Sequence, residues 1–525
     1  MNRWGALAAL LLAIAGALAL RLPRLDARPL HNDEAVNAIK VSELWQQGRY
    51  RYDPDEFHGP TLHYASLPFL WLSGARNSDE LTETTLRLAP VAFGTALILL
   101  LLLFADGLGR QAIGWAAIFT AVSPAMVFYS RYFIHEMLLV FFTALTLGAG
   151  WRYFQTRLAR WAVVAGVGIG LMFATKETFV IALAAMAVAG IATMLWGKRR
   201  EKLESTLQRV PGTEHAKAWT PTWPHAALAL LAAFIVWLVL FSSFFTNFNG
   251  LADSIRTYLP WLKRAGGQSP HIHPWNFYLE RLAWFHPAKS PVWSEGLILI
   301  LAVVGAGVSL FWKKSPLHRF LALYTIILTV AYSAISYKTP WCLLGFFHGM
   351  ILLAGIGAAA LVEFFRARAW KVLVVALLLA PTLQLTWQAW RASFVCPSDR
   401  RNPYVYAQTV PDILHLVEKA EALARVSPAG HETVVKVIAP GSDYGPLPWY
   451  LRRFNHTGWY DALPADPFAP IVIVASRLNA ALDEKSDKKW VMVGMFELRP
   501  GNFLELYVEM ELWRKFVTTL PREKD

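Results

Sequence analysis

The sequence has few cysteines and few charged residues for its length. Of its 525 residues only two, Cys342 and Cys396, are cysteines, and only 17% are charged. Two cysteines form neither a zinc-binding pattern nor a disulfide framework, so they are two unrelated thiols or a single bridge. A soluble protein of this size carries roughly a quarter charged residues. The shortage of charge therefore argues against a soluble chain.

Long apolar runs account for the missing charge. The chain is 55% hydrophobic, and about 20 consecutive apolar residues are enough to cross a bilayer. We count about eleven such segments, at 4–20, 86–104, 112–129, 137–151, 161–175, 179–196, 225–245, 294–312, 318–336, 342–364 and 371–389. They predict an all-α polytopic membrane protein. The first segment has the basic start of a cleaved signal peptide, but Arg21 and Arg24 follow at once, which favours a retained span.

The basic residues predict the orientation of these spans. Short connections on one side hold Arg152, Arg157, Arg160, Lys198, Arg199, Arg200, Lys202, Lys313, Lys314, Arg319, Arg366, Arg368 and Lys371. The positive-inside rule places them in the cytoplasm and the C-terminal residues outside the cytoplasmic (inner) membrane. Contact with lipid head groups and this bias explain the net charge of +13. Nucleic acid is not an expected partner, because the basic residues do not form one face.

The outer segments suggest two domains. Residues 1–390 form the predicted transmembrane domain, whose large outer loops are 21–85 and 247–293. Residues 391–525 show a helical pattern at 411–425 and strand-like runs at VVKVIA (434–439), IVIVAS (471–476), WVMVGMF and FLELYVE, without a glycine-rich phosphate loop. This alternation predicts a small extracytoplasmic α/β domain.

The first outer loop carries an unusual cluster of polar residues. His31, Asp33 and Glu34 lie within one turn, and His58 follows after further acidic residues. Such carboxylates can take a proton from a hydroxyl group, and with histidines they can hold a divalent metal ion. A structural alternative is a solvated loop in which Asp33 caps a helix that begins near Ala35.

Three further outer connections carry charge between apolar runs. Arg131, His135 and Glu136 lie in the second, Lys176 in the third and Lys338 in the fourth. Charges in such positions are costly unless they have partners or a function. Each could be an interfacial anchor, with Arg131 paired to Glu136 or His135, or an ordinary snorkelling lysine. Together the three cations at one membrane face suit a lipid-linked phosphate.

Several motifs resemble those of polytopic glycosyltransferases of the GT-C class. They are HNDEA (31–35), DPDEFHGPTLHY (53–64), SRYFIHE (130–136), TKET (175–178), YKTPW (337–341), NPYVYAQT (402–409) and DYGPLPWYLR (443–452). The chain looks like the branch labelled flippase-activity-associated, which is related to the dolichyl-phosphate-mannose protein mannosyltransferases and the aminoarabinose transferases.

The resemblance implies roles for these residues. Asp33 matches the acidic residue that serves as base or metal contact, with Glu34 beside it and His31 as a further candidate ligand of a divalent metal ion. Glu136 matches a second acidic position that is usually Asp in the mannosyltransferases. Lys176 and Lys338 are candidate contacts of the donor phosphate. Arg131, His135 and His58 complete the expected substrate-binding set.

The expected function is transfer of a sugar from a polyprenyl-phosphate-linked donor to a lipid, glycan or protein acceptor outside the membrane. Membrane lipids are the expected surroundings. One alternative is a non-catalytic component of lipid-linked sugar flipping, and another is a scaffold that recruits envelope proteins. A transporter would be expected to show broken helices or paired halves near the midplane. Charge concentrated at the outer face favours the enzyme.

The orientation can be tested with reporter fusions. A reporter that is active only outside the cytoplasm should work when fused after Trp390 and stay silent when fused after Arg200. Activity after Arg200 with silence after Trp390 would reverse the placement of every candidate site residue.

Overall fold

The structure is a computed structural model that describes residues 3–55, 58–207, 222–261, 271–287, 289–312 and 315–521. Most of these residues are helical. The helices run over Arg3–Arg21, Asn32–Gln47, Thr61–Ser73, Glu83–Leu100, Ala105–Leu108, Arg110–Val122, Pro124–Ser130, Glu136–Thr156, Ala159–Phe173, Phe179–Leu207, Trp223–Phe241, Asn249–Arg256, Phe277–Ala283, Gly296–Gly307, Pro316–Ala334, Leu344–Phe364, Arg368–Trp390, Asp412–Val426, Leu447–Tyr450, Leu482–Lys485 and Met510–Val517.

Eight helices in the described ranges are long and apolar enough to cross a membrane. They are Trp4–Arg21, Glu83–Leu108, Glu136–Thr156, Phe179–Gly197, Trp223–Phe241, Pro316–Ala334, Pro340–Phe364 and Arg368–Val395. The predicted polytopic helical fold is thus confirmed. The other three predicted segments are also helical, but two of them lie in the shorter helices Ala159–Phe173 and Gly296–Trp312. The third, 112–129, is broken into two helices that meet at 57°.

The chain divides into two compact units. The first, which we call the helical unit, comprises Met1–Leu25, Gln47–Ser73 and Thr85–Cys396. The second, the mixed unit, comprises Asp26–Gln46, Gly74–Thr84 and Pro397–Asp525. Two stretches of the first loop therefore belong with the C-terminal residues. The division at residue 390 stays a prediction.

The broken helix leaves backbone groups without partners in its own hydrogen-bond ladder. Arg110–Val122 ends at Ser123, and the next helix begins at Pro124, which has no N–H. Away from water such groups must be satisfied inside the protein. Two buried charged side chains, Arg21 and Glu295, do this from opposite sides of the break.

Arg21 binds the end of the first half of the broken helix. Its fully buried guanidinium donates hydrogen bonds to the carbonyl oxygens of Thr120 and Ala121, both at 2.8 Å. Its Nε donates to the Ser130 hydroxyl of the second half at 3.1 Å. One side chain therefore joins both halves to the end of the first helix.

Glu295 binds the start of the second half. It is fully buried, and its carboxylate accepts the Ser123 hydroxyl at 2.7 Å and the Ala125 N–H at 2.8 Å. The N–H groups of a first helical turn have no partner within the helix. Glu295 supplies one for this turn and fixes the direction of the second half.

The mixed unit contains a five-stranded sheet in the order β2-β1-β3-β5-β4. The strands are β1 Val435–Ile438, β2 Thr457–Tyr460, β3 Ile471–Ala475, β4 Trp490–Arg499 and β5 Asn502–Glu509. β1 pairs in parallel with β2 and β3, whereas β5 is antiparallel to both β3 and β4. The small C-terminal α/β fold predicted from the sequence is therefore present.

Apolar side chains cover both faces of the central strand β3. Ile471 and Ile473 pack into a core with the helix Asp412–Val426, and Val472 and Val474 pack into a second core on the other face. A strand that is buried on both sides is a continuous apolar run, which explains why IVIVA was predictable. The short strand β2 was missed, because its four residues are only partly buried and lack that signal.

Removal of the Arg21 guanidinium should destabilise the helical unit. In Arg21→Met the carbonyls of Thr120 and Ala121 lose charged donors, each worth about 1.5–3 kcal/mol. The free energy of unfolding should fall by about 3 kcal/mol or more, measured as a lower unfolding midpoint in detergent. The matched control is Arg24→Met, because Arg24 is exposed. Equal midpoints for the two variants would contradict this role of Arg21.

Candidate functional site

The acidic loop begins with a capping box at the N-terminus of the helix Asn32–Gln47. His31 Nδ1 accepts the N–H of Asp33 at 3.2 Å, and the Glu34 carboxylate accepts the N–H of His31 at 3.0 Å. This reciprocal pair normally uses Ser or Thr at the first position. His31 takes that place here, so the predicted cap at Asp33 is replaced by one at His31.

Glu34 is engaged by the fold. Its side chain is fully buried, and its two oxygens lie 3.1 and 3.2 Å from Nη2 of Arg28. With the N–H of His31 as a further donor, the carboxylate has charged and neutral partners inside the mixed unit. This geometry suits Glu34 to hold the loop in place.

Asp33 is the accessible carboxylate of the three-residue cluster. Its side chain is 47% exposed, and its Oδ1 lies 3.7 Å from His31 Nδ1. Because the capping box fixes the backbone on both sides of it, Asp33 presents its carboxylate from an ordered helix start. An acid–base group needs both accessibility and a fixed position.

The motif DYGPLPWYLR (443–452) supports this loop within the mixed unit. The Tyr450 hydroxyl accepts the N–H of Leu30 at 2.9 Å. Gly445 lies so close to Asn32 that a Cβ would approach its Oδ1 to 1.8 Å, so a larger residue there would displace the Asn32 side chain. The sequence motif contributed to the resemblance without an assigned role. In the structure this motif contacts the residues that precede Asp33 and supports them.

The same motif also holds the second loop stretch of the mixed unit. Arg452 donates to the carbonyl oxygens of Ser78 at 3.2 Å and Leu81 at 2.8 Å, and it stacks on Trp449 at 3.9 Å. Trp449 Nε1 donates to the Glu83 carboxylate at 3.3 Å.

The metal site expected at His31 and Asp33 does not fit this arrangement well. His31 Nδ1, which lies 3.7 Å from Asp33 Oδ1, already accepts a backbone N–H, so a cation bound through this nitrogen would have to replace that bond. No three His, Cys, Asp or Glu side chains of the described residues form a group suited to a metal ion. The divalent metal stays a prediction.

In the helical unit, two connections form a short antiparallel pairing. His58 is bridged to Lys176, and the N–H groups of Gly59 and Thr61 donate to the carbonyls of Thr175 and Ala174, both at 3.1 Å. A Cβ at Gly59 would lie 2.1 Å from the Ala174 oxygen, so the HGP turn requires glycine. This pairing fixes the position of His58 relative to residues 175–177.

Lys176 and Glu136 form a buried ion pair beside this turn. Nζ of Lys176 donates to Oε1 of Glu136, and both side chains are buried. Burial alone disfavours a charged lysine, but the Glu136 carboxylate outweighs it and raises the pKa of Lys176. Lys176 therefore stays charged at neutral pH, with Glu136 as its partner.

His135 fastens the turn from a third direction. Its Nε2 donates to the carbonyl oxygen of Gly59 at 3.0 Å. Burial, with further contributions from His58, His63 and Lys176, holds the pKa of His135 well below its usual value. His135 is therefore a neutral ring that carries its proton on Nε2.

His58 and Glu177 form a second polar pair in this cluster. His58 Nδ1 lies 3.0 Å from Oε2 of Glu177. The carboxylate is buried with 5% exposure, whereas the His58 side chain is 34% exposed. Glu177 was not among the predicted site residues, although its position next to Lys176 in TKET was a signal for it.

Arg131 and Lys338 bind backbone carbonyls. Arg131 donates to the carbonyl oxygens of Arg21 and Pro23, both at 2.7 Å, and to that of Arg24 at 2.9 Å. Nζ of Lys338 donates to the carbonyls of His273, at 3.2 Å, and Ile335, and burial lowers the pKa of Lys338. The structure thus gathers His58, His135, Glu136 and Lys176 into one cluster. The meeting of Asp33 with the lysines stays a prediction.

Residues 62–251 match the model of the dolichyl-phosphate-mannose-protein mannosyltransferase family. No curated protein sequence matches the chain. The fold is similar to that of ArnT from Cupriavidus metallidurans bound to undecaprenyl phosphate, with a TM-score of 0.62 and 14% identity over 96% of this chain and 98% of that one. It is also similar to the oligosaccharyltransferase AglB from Archaeoglobus fulgidus, in complex with an inhibitory peptide and a dolichol-phosphate. That match has a TM-score of 0.54 and 14% identity, over 91% of this chain and 70% of the other.

These comparisons confirm the predicted GT-C architecture and the predicted enzyme class. The architecture rests on the structural similarity along nearly the whole chain. The class, glycosyltransferase, rests on the family match, which includes His135, Glu136, Lys176 and Glu177.

The mixed unit should lose stability in mild acid through His31. Burial lowers the pKa of His31, so the unfolded chain binds this proton more readily than the folded one. The stability that the neutral His31 contributes is fully present above about pH 6.5. It is lost as the pH falls from there towards the lower pKa of the folded state, and the free energy of unfolding then decreases by at most about 1.4 kcal/mol per pH unit.

Hydrogen exchange of the helix Asn32–Gln47 at pH 7.5 and 5.5, corrected for intrinsic rates, measures this effect. His31→Asn keeps a capping acceptor and removes the titration, so the extra opening at pH 5.5 should shrink. The control is His415→Asn, because His415 is 67% exposed. An unchanged pH dependence in His31→Asn would exclude His31 as its source.

Proposed function

We propose that this GT-C glycosyltransferase moves a sugar from a polyprenyl-phosphate-linked donor to a lipid, glycan or protein acceptor on the extracytoplasmic face of the cytoplasmic membrane. The observation that carries the proposal is Asp33, a 47% exposed carboxylate at the start of a capped and buried helix turn. Its neighbours His31 and Glu34 hold the turn, and Asp33 remains accessible to a substrate.

Asp33 acts as the general base. An acceptor hydroxyl gives its proton to the Asp33 carboxylate while its oxygen bonds to the anomeric carbon of the sugar. The bond from that carbon to the lipid phosphate breaks, and its electron pair stays on the phosphate oxygen. A single displacement of this kind inverts the configuration of the sugar carbon.

A lipid-linked phosphate donor is supported by the structural relatives. One of them is bound to undecaprenyl phosphate and the other to a dolichol-phosphate. The polar cluster of the helical unit, with charged Lys176 at its centre, lies within or just before the family-matched residues 62–251. A phosphate of the same class is the ligand that we assign to this end of the helical unit.

The distribution of charge along single helices supports a site on the extracytoplasmic face. Glu136 begins the helix Glu136–Thr156 in the polar cluster, and Arg152 lies near its other end. Tyr332, near the end of Pro316–Ala334, hydrogen-bonds Thr178, whereas Arg319 lies near the start of that helix. Basic residues thus lie opposite the polar cluster, as the positive-inside rule requires of an outer site.

The role of Asp33 is tested by Asp33→Asn, which keeps size and removes the basic oxygen. Sugar transfer from polyprenyl-phosphate donors in detergent should fall about 10²- to 10⁴-fold, with an unchanged amount of folded protein. The control is Glu43→Gln, which removes a 49% exposed carboxylate from the same helix.

Transfer at the parental rate by folded Asp33→Asn would show that Asp33 is not the base. If the parental protein transfers nothing from any donor tried, while a deletion strain accumulates lipid-linked sugar, a partner role in flipping replaces the proposed reaction.

A further inference from the structure

The cations expected to meet the donor phosphate already have partners in the helical unit. Lys176 is paired with Glu136, Arg131 donates to three backbone carbonyls, and Lys338 donates to two. The charge of Lys176 is therefore balanced by a carboxylate, and Arg131 and Lys338 already use part of their donors on the backbone. The departing phosphate nevertheless needs positive charge or a proton as its bond to the sugar breaks.

The pair His58–Glu177 has the geometry of a proton-donating group. A carboxylate can only accept, so the 3.0 Å contact places a proton on His58 Nδ1. The other nitrogen, Nε2, is then the one that can exchange a proton with a ligand. Glu177 is almost completely buried and His58 is one-third exposed, so the imidazole faces out from its carboxylate. A buried carboxylate in this position orients the ring and stabilises its charged form during proton transfer.

Three independent contacts hold this pair in place. His58 is bridged to Lys176 through the backbone, Gly59 is packed against Ala174, and His135 donates to the Gly59 carbonyl. The rings of His58 and His135 lie 5.0 Å apart, edge to face. His135 is neutral, because burial lowers its pKa, and it adds no positive charge that would oppose a proton on His58.

We infer that His58 gives the proton, or a charged hydrogen bond, to the lipid phosphate of the donor, and that Glu177 is the positioning residue that orients His58. The inference rests on the proposed function and adds a second proton-transfer group to it. It assigns His58 a chemical step, and it assigns Glu177, which was not among the predicted site residues, the role of its partner.

The step balances as follows. The bond between the sugar carbon and the phosphate oxygen breaks, and its electron pair goes to that oxygen. The proton on His58 Nε2 moves to the same phosphate oxygen and His58 becomes neutral, or the proton stays in a charged hydrogen bond and His58 keeps its charge. The proton of the acceptor hydroxyl goes to the general base, and a solvent proton later restores His58.

The first test compares rates of sugar transfer. His58→Gln should lower the rate constant of transfer about 10²- to 10⁴-fold. Glu177→Gln keeps the side-chain shape and should cost about 10- to 100-fold, the range found when a carboxylate that orients a metal-bound histidine is removed. The matched control is Glu363→Gln, because Glu363 is exposed and lies in the last turn of the helix Leu344–Phe364. It should transfer at the parental rate.

The second test measures binding of polyprenyl phosphate without any transfer. The affinity of the parental protein should fall relative to that of His58→Gln as the pH rises from 5.5 to 8, because a neutral imidazole no longer attracts the phosphate. The ligand's own second ionisation, near pH 6 for a phosphate monoester, is common to both proteins and cancels in the difference.

Other titratable groups could contribute to the same profile. Glu177 and Lys176 lie on the facing connection, His135 packs against the His58 ring, and His63 packs against His135. All of them remain in His58→Gln, so the difference between the two profiles isolates His58. Glu177→Gln should reduce this difference, which a merely structural role of Glu177 would leave unchanged.

The outcomes separate this inference from the proposed function. If the parental protein transfers sugar and folded His58→Gln does so at the same rate, the inference fails and the proposed function stands. If no transfer occurs but binding shows the His58-dependent profile, the proposed function fails and the phosphate contact stands. A binding profile that is identical in the parental protein and His58→Gln overturns the inference in either case.

Discussion

Backbone polar groups that lie away from water must find partners inside the protein, and the helical unit meets this requirement with buried charges. The broken helix around Ser123 exposes carbonyls on one side and N–H groups on the other. Arg21 binds the carbonyls and Glu295 binds the N–H of Ala125. Arg131 does the same for the carbonyls that follow the first helix. A charged side chain at these positions is therefore part of the fold.

This requirement changes how the charges of the outer connections are interpreted. A lysine or arginine between two apolar spans resembles a phosphate ligand in sequence, yet Arg131 and Lys338 donate to carbonyl oxygens. Lys176 keeps its charge because Glu136 is beside it. Among the polar groups gathered there, His58 combines a buried carboxylate partner with partial exposure. The proposed chemistry at this end of the helical unit therefore falls to an imidazole, and the cations stabilise the backbone around it.

In the mixed unit, three neighbouring residues likewise divide into two that stabilise the fold and one that is accessible. His31 and Glu34 close a capping box, and Arg28 neutralises Glu34. Tyr450 and Gly445, from the far end of the chain, contact the residues just before Asp33. The C-terminal residues are therefore a structural part of the acidic loop. Displacement of Tyr450 would remove the acceptor of the Leu30 N–H, three residues before Asp33.

The sequence by itself determined the membrane character, the helices and most of the strands, because long apolar runs and buried strands are local patterns. IVIVA predicts a strand that is covered on both faces, and the apolar run around Leu97 predicts a membrane-spanning helix. It also singled out Asp33, His58 and Lys176 as residues out of place in their surroundings. The missed strand β2 lacks such a pattern, because its four residues are only partly buried.

Only the tertiary structure decided which polar residue meets which. Glu136 pairs with a lysine 40 residues away, His58 with a glutamate 119 residues away, and Ser123 with a glutamate 172 residues away. Periodicity and spacing carry no information about such pairs. These pairs form wherever folding brings a donor without a local partner to an acceptor. For that reason the candidates for chemistry were visible in the sequence, but their division into site and scaffold was not.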